Sequence, residues 1–403
     1  MSTMRGPRSS RYRRRGHLPW WLPGVLALVI GTAFLARMPT AADESDAQSE
    51  PEEAATAVLP AMAAGVDHVP EWPPPDLAGL CADSVAQPLQ PPPGGYGDQS
   101  AAIAAVLERY HRRGIDYTEQ LQNYSATGDY LNYGVIQTYK ESAELIFDAN
   151  GVPKLRHGGI YYYNPVTVAQ YALTMHGRYL RGAASLASFV VAADTLAGLQ
   201  DGRGAFPYPF AYYYYLTGET FPAGWVSGMA QGLALSVFER AYALIGEPRF
   251  LASGNRALEF LLVPSESGGP RGTLADLDPA LGAYVSFKEY PSTPDNYTLN
   301  GHMYTLLGLY DWWQLGPDAV DGPSALAHRY FECGLATVLL TLPLYDVGGF
   351  SSYDLGQLIA GAEPNLQQWY HAFHISLLHA LRSVTGNDAL RPYEELWVSY
   401  ILR

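Results

Sequence analysis

The strongest constraint on this fold is a succession of apolar runs of helical length through the second half of the chain. "NPVTVAQYALTMHGRYL" opens on Asn164 and Pro165, a cap and first-turn pair. "ASLASFVVAADTLAGL" follows and is stopped by Asp201 and Gly202. Further runs cover residues 224–245, 248–262, 298–315, 324–340, 369–385 and 388–402. Most are apolar around much of their circumference, so each must be buried on more than one side. Short turns, "GEPRF" and "TGNDALRP", alternate with long loops at 201–223, 263–297 and 341–368. That alternation predicts a mainly α fold of stacked, antiparallel hairpins with the long loops at one end, the natural place for a site. The same loops carry the tyrosine clusters "YPFAYYYYL", "KEYPSTPDNY" and "SSYDLGQ".

The chain ahead of the helices divides by composition. Residues 1–17 hold Arg5, Arg8, Arg11, Arg13, Arg14 and Arg15 and read as a basic cytoplasmic tail. Residues 18–38 read as a transmembrane anchor or a signal segment, their apolar run from Leu18 to Leu35 being near the minimum that spans a bilayer. The absence of a clear small-x-small site before Pro39 favours the anchor. Either reading puts the remainder outside the cytoplasm, as a membrane-anchored or a secreted domain. Residues 39–100 form a linker rich in Pro, Ala and acidic residues, with packed turns at its end. Residues 101–163 are expected to give a short helix over 101–113 and a β-rich segment with strands between Tyr117 and Tyr163. Residues 164–403 form the helical region. Cys81 and Cys333 make no metal motif; a disulfide between them is open outside the cytoplasm but disfavoured by the proline-rich setting of Cys81.

The formal net charge of −14 argues against a nucleic-acid partner, which needs a basic face. No G-x-S-x-G, Walker loop, dinucleotide fingerprint or H-E-x-x-H is present. Tyrosine is over-represented, at 30 of 403 residues, and its apolar ring with a polar tip suits surfaces that bind sugars as well as an ordinary core. The stretch "EYPSTPDNYTLNGHMYTLLGLYDWW" places Glu289 and Tyr290 just ahead of a proline-stiffened turn into a helix. His371 and His374 lie three apart in "WYHAFH", a spacing weak for a metal and better suited to structural or substrate contacts.

Three blocks resemble the D-glucuronyl C5-epimerase family: "GWVSGMAQGLALSVFERAY", "EYPSTPDNYTLNGHMYTLLGLYD" and "YDLGQLIAGAEPNLQQWYHAFHI". The resemblance implies an incomplete (α/α) toroid of helical hairpins, here preceded by the small β-containing segment and the N-terminal membrane helix. It implies conversion of D-glucuronate to L-iduronate within a heparosan-like glycan. That reaction removes the proton alpha to a carboxylate and returns one to the opposite face, so it needs two acid/base groups and support for an enolate. The family's residues match Glu289, Tyr290, Tyr353 and Tyr370 here. Glu289 with Tyr370 is the favoured pair across C5, Tyr290 with Tyr370 the close alternative. Asn300, His371 and His374 are candidate contacts to the carboxylate or hydroxyls.

Two departures matter, one being that the family's Trp-Asp-Tyr-His is shortened here to "WYH", with the spacing of Tyr370, His371 and His374 kept. Where the family reads Tyr-Asp-Leu-Arg-His this chain reads "YDLGQ", so Gly356 and Gln357 stand where a cation and an imidazole are usual. Either Arg203 or Arg156 supplies the cation, or the substrate is less charged than heparan. No nucleotide or redox cofactor is required; a structural Ca2+ is implied only by relatives, and Asp276–Pro279 is too weak to claim its ligands. The expected partners are an acidic polysaccharide and a membrane, and a homodimer is compatible. Two other functions start from the same residues: a lyase acting by β-elimination, and a non-catalytic glycan-binding toroid.

Overall fold

The computed structural model describes Cys81 and residues 87–402. The arginine-rich tail, the apolar run at 18–35 and most of the 39–100 linker lie outside the described residues. Among the described residues no helix is long and apolar enough to cross a membrane.

The protein is mainly helical with small antiparallel sheets. Helix α1 covers Ser100–Arg112. The segment after it, expected as strands, instead forms 3-10 turns at Tyr117–Gln120 and Tyr130–Asn132 and a one-turn helix α2, Tyr133–Ile136. Turn chemistry outweighs the alternating pattern there. The Asp116 carboxylate accepts the Thr118 N–H, and Leu131 and Asn132 take positive φ. Strands appear only further on, as β1 (Leu145–Phe147), β2 (Pro153–His157) and β3 (Ile160–Tyr162) in one sheet. Leu155 of β2 lies opposite both Leu145 and Tyr162.

The helical region follows the apolar runs. α3 (Pro165–Leu180) starts at Asn164, whose side chain accepts the Thr167 N–H at 3.2 Å. α4 (Leu186–Gly198) is capped in the same way by Ser185. The two-residue strands β4 (Tyr212–Tyr213) and β5 (Thr220–Phe221) pair within the next loop. α5 (Gly228–Ile245) and α6 (Pro248–Leu261) turn at Gly246, which has φ +69°. β6 (Arg271–Thr273) pairs with β7 (Val285–Phe287) ahead of α7 (Leu299–Trp313). α8 (Gly322–Tyr345) runs past the end its apolar pattern suggested and carries Pro343 in its last turn. The short α9 (Gly356–Ile359) precedes α10 (Gln368–Thr385) and α11 (Arg391–Ile401).

The helices pair as hairpins α3/α4, α5/α6, α7/α8 and α10/α11, and their first members pack in the order α3, α5, α7, α10. The middle of this row is its tightest contact. A Cβ on Gly308 of α7 would overlap the Gly232 carbonyl of α5, and a Cβ on Gly232 would come within 2.5 Å of the Thr305 Cα. Further along the same pair, buried Arg240 of α5 bonds buried Asp311 of α7 at 2.7 Å. Asp311 also accepts the Tyr124 hydroxyl at 2.8 Å, and Arg240 donates to the Ser125 carbonyl at 3.0 Å. The turn segment ahead of the sheet is thus tied to the helical row. The end of the proline-rich stretch packs on α8: Cys81 forms a disulfide with Cys333, and the Tyr96 hydroxyl donates to the Leu344 carbonyl at 2.7 Å.

Replacing Gly308 by alanine should therefore cost about 1–3 kcal/mol of unfolding free energy through overpacking. Gly198→Ala, at a helical glycine with open space around it, should be neutral or stabilising by up to about 1 kcal/mol. Denaturant unfolding of the two variants checks the difference.

Candidate active site

β7 delivers Lys288, Glu289 and Tyr290 to the start of α5. There the Gly228 N–H donates to the Lys288 carbonyl at 2.7 Å. Glu289 lies against α7 at Gly301, where any Cβ would overlap its carboxylate. The chain then turns through Pro291 and a cis Thr293–Pro294 bond. The Asp295 carboxylate accepts the Tyr297 N–H at 3.0 Å, which closes the turn into α7. The first N–H of α7, on Leu299, donates to the Tyr353 carbonyl at 3.1 Å. The Tyr353 N–H donates to the Asn365 carbonyl, and the Leu355 N–H to the Asn296 carbonyl, both at 2.8 Å. Backbone bonds on both sides therefore fix Tyr353 opposite Glu289.

The structure brings Glu289, Tyr290, Tyr353 and Tyr370 together, all buried. The Tyr353 hydroxyl donates to Glu289 Oε1 at 3.0 Å and lies 3.1 Å from the Tyr290 hydroxyl. An ionised carboxylate only accepts, so the Tyr353 proton goes to Glu289 and Tyr290 is the donor to Tyr353. The ring of Tyr370, on α10, lies 4.4 Å from that of Tyr353. Behind Tyr290 stand Tyr214 at 5.2 Å, Tyr212 at 5.7 Å and Trp225 at 6.3 Å, ring centre to ring centre.

Tyr290, Tyr353 and Tyr370 line a cavity of about 440 Å³, together with Tyr212, Tyr215, Asp354 and the 362–367 segment. Glu289 is not part of that lining: it stands one layer back, in contact with the cavity through the Tyr353 hydroxyl. Burial raises the Glu289 carboxyl to about 7, with the Tyr353 hydrogen bond pulling the other way. Burial, and then the neighbouring Glu289 charge, push the Tyr370 phenol far above its ordinary value; Tyr290 and Tyr353 are pushed up as well. The three phenols are neutral donors throughout the range in which Glu289 titrates, an arrangement suited to moving a proton at a carbon atom.

The remaining candidates lie elsewhere. Asn300 is fully buried in the first turn of α7, and neither of its amide atoms has a partner among the described residues. His371 accepts the Ser351 N–H on Nδ1 at 3.1 Å, so its Nε2–H donates to the Trp397 carbonyl at 3.1 Å. His374 Nδ1 meets the Ser351 hydroxyl at 2.8 Å. Burial pushes the His371 imidazole down to about 3 and that of His374 well down, so both are neutral parts of the packing between α10 and α11. Arg203 is exposed, bonded to Asp201 at 2.8 Å, and Arg156 is exposed on β2; neither lines the cavity. Among the described residues no group of three or more His, Cys, Asp or Glu side chains could hold a metal ion. Asp276 and Asp278 accept backbone N–H groups of Asp295 and Ala280.

Sequence reasoning did not single out Asp354, Tyr215 or Asn365. Asp354 is buried and accepts the Tyr215 hydroxyl, the amides of Asn296 at 3.3 Å and Asn365 at 3.4 Å, and the Gly356 N–H at 2.9 Å. The tyrosine run at 212–215 was a signal for Tyr215; Asn365 had none.

The site is thus a carboxylate buried behind a phenol-lined cavity in a mainly helical domain. Residues 200–399 match the model of the family described as "D-glucuronyl C5-epimerase C-terminus". That region of the chain belongs to the D-glucuronyl C5-epimerase C-terminal family. A D-glucuronyl C5-epimerase of Caenorhabditis elegans is 32% identical over 220 residues, covering 53% of this chain and 35% of that protein. An uncharacterized protein of Methanocaldococcus jannaschii is 26% identical over 222 residues, covering 55% of this chain and 67% of that one. The chain thus spans about a third of the nematode protein it matches.

The raised Glu289 carboxyl has a consequence for stability. The folded protein holds this proton from the unfolded value of 4.5 up to about 7, so stability falls as pH rises through that window. Glu289→Gln removes the dependence. Its unfolding free energy relative to the parent should shift in the variant's favour by up to about 3 kcal/mol between about pH 4 and about pH 8. Unfolding at the two pH values checks this.

Proposed function

We propose that the chain is a polysaccharide uronate C5-epimerase, an isomerase converting D-glucuronate to L-iduronate residues in a heparosan-like glycan. The observation that carries this reading is Glu289, a buried carboxyl titrating near 7 that reaches a phenol-lined cavity through Tyr353. Family membership supports it at the level of reaction class. In this reading the row α3, α5, α7, α10 is the inner wall of an incomplete toroid. The domain acts outside the cytoplasm on the N-terminal anchor.

The uronate enters the cavity and parts Tyr353 from Tyr370, whose rings touch, so that C5 comes between their hydroxyls. Tyr353 takes the C5 proton as its own proton passes to Glu289, and the C5–H electron pair moves into the enolate of the uronate carboxylate. The Tyr290 hydroxyl donates toward the negative charge that develops, where neutral donors in a dry site are most effective. Tyr370 delivers a proton to the opposite face, which inverts C5. Glu289 and Tyr370 then exchange protons with solvent to reset. No step requires a nucleotide or a redox group.

In deuterated water the enzyme should introduce deuterium at C5 of unsulfated heparosan with chain length retained, read by NMR. Tyr370→Phe and Glu289→Gln should each lower that exchange about 100-fold or more while keeping glycan binding. Because the reacting form has Glu289 ionised, kcat/KM should fall as pH drops through about 7. Unchanged exchange in Tyr370→Phe would defeat the assignment. An unsaturated, ultraviolet-absorbing product would show a lyase instead.

A further inference from the structure

The cavity carries a second statement, about charge. Among the described residues its lining contains no lysine, arginine or histidine, and its two carboxylates are Asp354 and Glu363. The donors it offers are phenols and the amides of Asn365 and Gln367. Basic side chains on the surrounding loops are held elsewhere. Lys288 Nζ donates to the Ser292 carbonyl at 2.9 Å, Arg203 pairs with Asp201, and Arg271 Nε donates to the Leu262 carbonyl at 2.8 Å. Any side chain at Gly356, beside Asp354, would have to displace the end of Leu216. A Cβ there would come within 2.9 Å of Leu216 Cδ1 and 3.0 Å of Asp354 Oδ1.

We infer that this site takes a glycan with no sulfate next to the reacting uronate, so that the uronate carboxylates are the only anions it accommodates. The inference rests on the epimerase reading and narrows its substrate class. A single carboxylate can be held by neutral phenol and amide donors, because each bond is charge-assisted on one side. A sulfate is a fully ionised group at every working pH. In this cavity it would meet chiefly the exposed Glu363, since burial raises the hydrogen-bonded Asp354 carboxyl, with no cation among the described lining residues to offset it; like-charge juxtaposition of that kind is how a site rejects a wrong ligand. Glu363 is exposed at the rim, its Oε2 accepting the Gln99 side-chain amide at 3.1 Å. It is the carboxylate that an approaching chain meets from solvent.

The test uses the full chain and two probes of equal length, an unsulfated heparosan oligosaccharide and its N-sulfated counterpart. Binding is measured by calorimetry and C5 exchange by NMR in deuterated water. The sulfated probe should bind at least about tenfold more weakly at low salt, and the gap should narrow as salt screens it. Glu363→Lys should also narrow it. Equal or tighter binding of the sulfated probe, or a ratio that neither salt nor Glu363→Lys moves, would overturn the inference. Exchange is scored separately: exchange on neither probe removes the epimerase reading, while the binding ratio still decides the charge selectivity.

Discussion

The backbone contact between α5 and α7 is the constraint on which the rest of this structure depends. Gly232 and Gly308 let the two helices meet without side chains between them, and Gly301 continues the same seven-residue spacing on α7. At that third glycine the space is occupied by the Glu289 carboxylate rather than by a neighbouring helix. One glycine-bearing face therefore does two things: it sets the spacing of the helical row and opens the recess that takes a buried acid. The Arg240–Asp311 pair secures the far part of the same contact, with the turn segment around Tyr124 closing over it. A buried pair of this kind adds little net stability, but removing one partner leaves an uncompensated charge, so it fixes how the helices register.

The chemistry of the site follows from burying that carboxyl behind Tyr353. Burial alone would only keep Glu289 protonated; the Tyr353 hydroxyl offsets part of the cost by donating to it. The result is a carboxyl balanced near neutrality, facing phenols that the same burial keeps protonated. One environment thus raises the carboxyl and the phenols together while leaving them to titrate far apart. Tyr353 is the hinge of this arrangement. Its backbone is bonded to the start of α7 and to the 365 segment, its hydroxyl to Glu289, and its ring packs on Tyr370.

Most of the helical framework could be read from the sequence, because apolar periodicity and caps are local signals. Asn164 and Ser185 begin helices where their chemistry says they should. The segment at 117–136 could not, because its alternation of apolar residues is overridden by local turns with positive φ at Leu131 and Asn132. The disulfide joins cysteines 252 residues apart, a separation about which a single sequence says little. At the site, adjacency made Glu289 and Tyr290 visible, and the resemblance supplied Tyr353 and Tyr370. The Asp354–Tyr215 contact spans 139 residues and left no pattern. His371 follows Tyr370 directly, but a helix turns successive side chains by about 100°, and His374 lies a full turn further along. They point into the packing against Trp397 and not into the cavity.

The central claim is that Glu289 is a buried carboxyl titrating near neutral pH. Direct titration of that group tests it, by carboxyl-selective isotope-edited NMR or by the infrared carboxylate band, with Glu289→Gln as the subtraction control. The account predicts a single carboxyl with a midpoint near 7 that disappears in Glu289→Gln. A midpoint for Glu289 near 4.5, the ordinary value for an exposed glutamate, would contradict it.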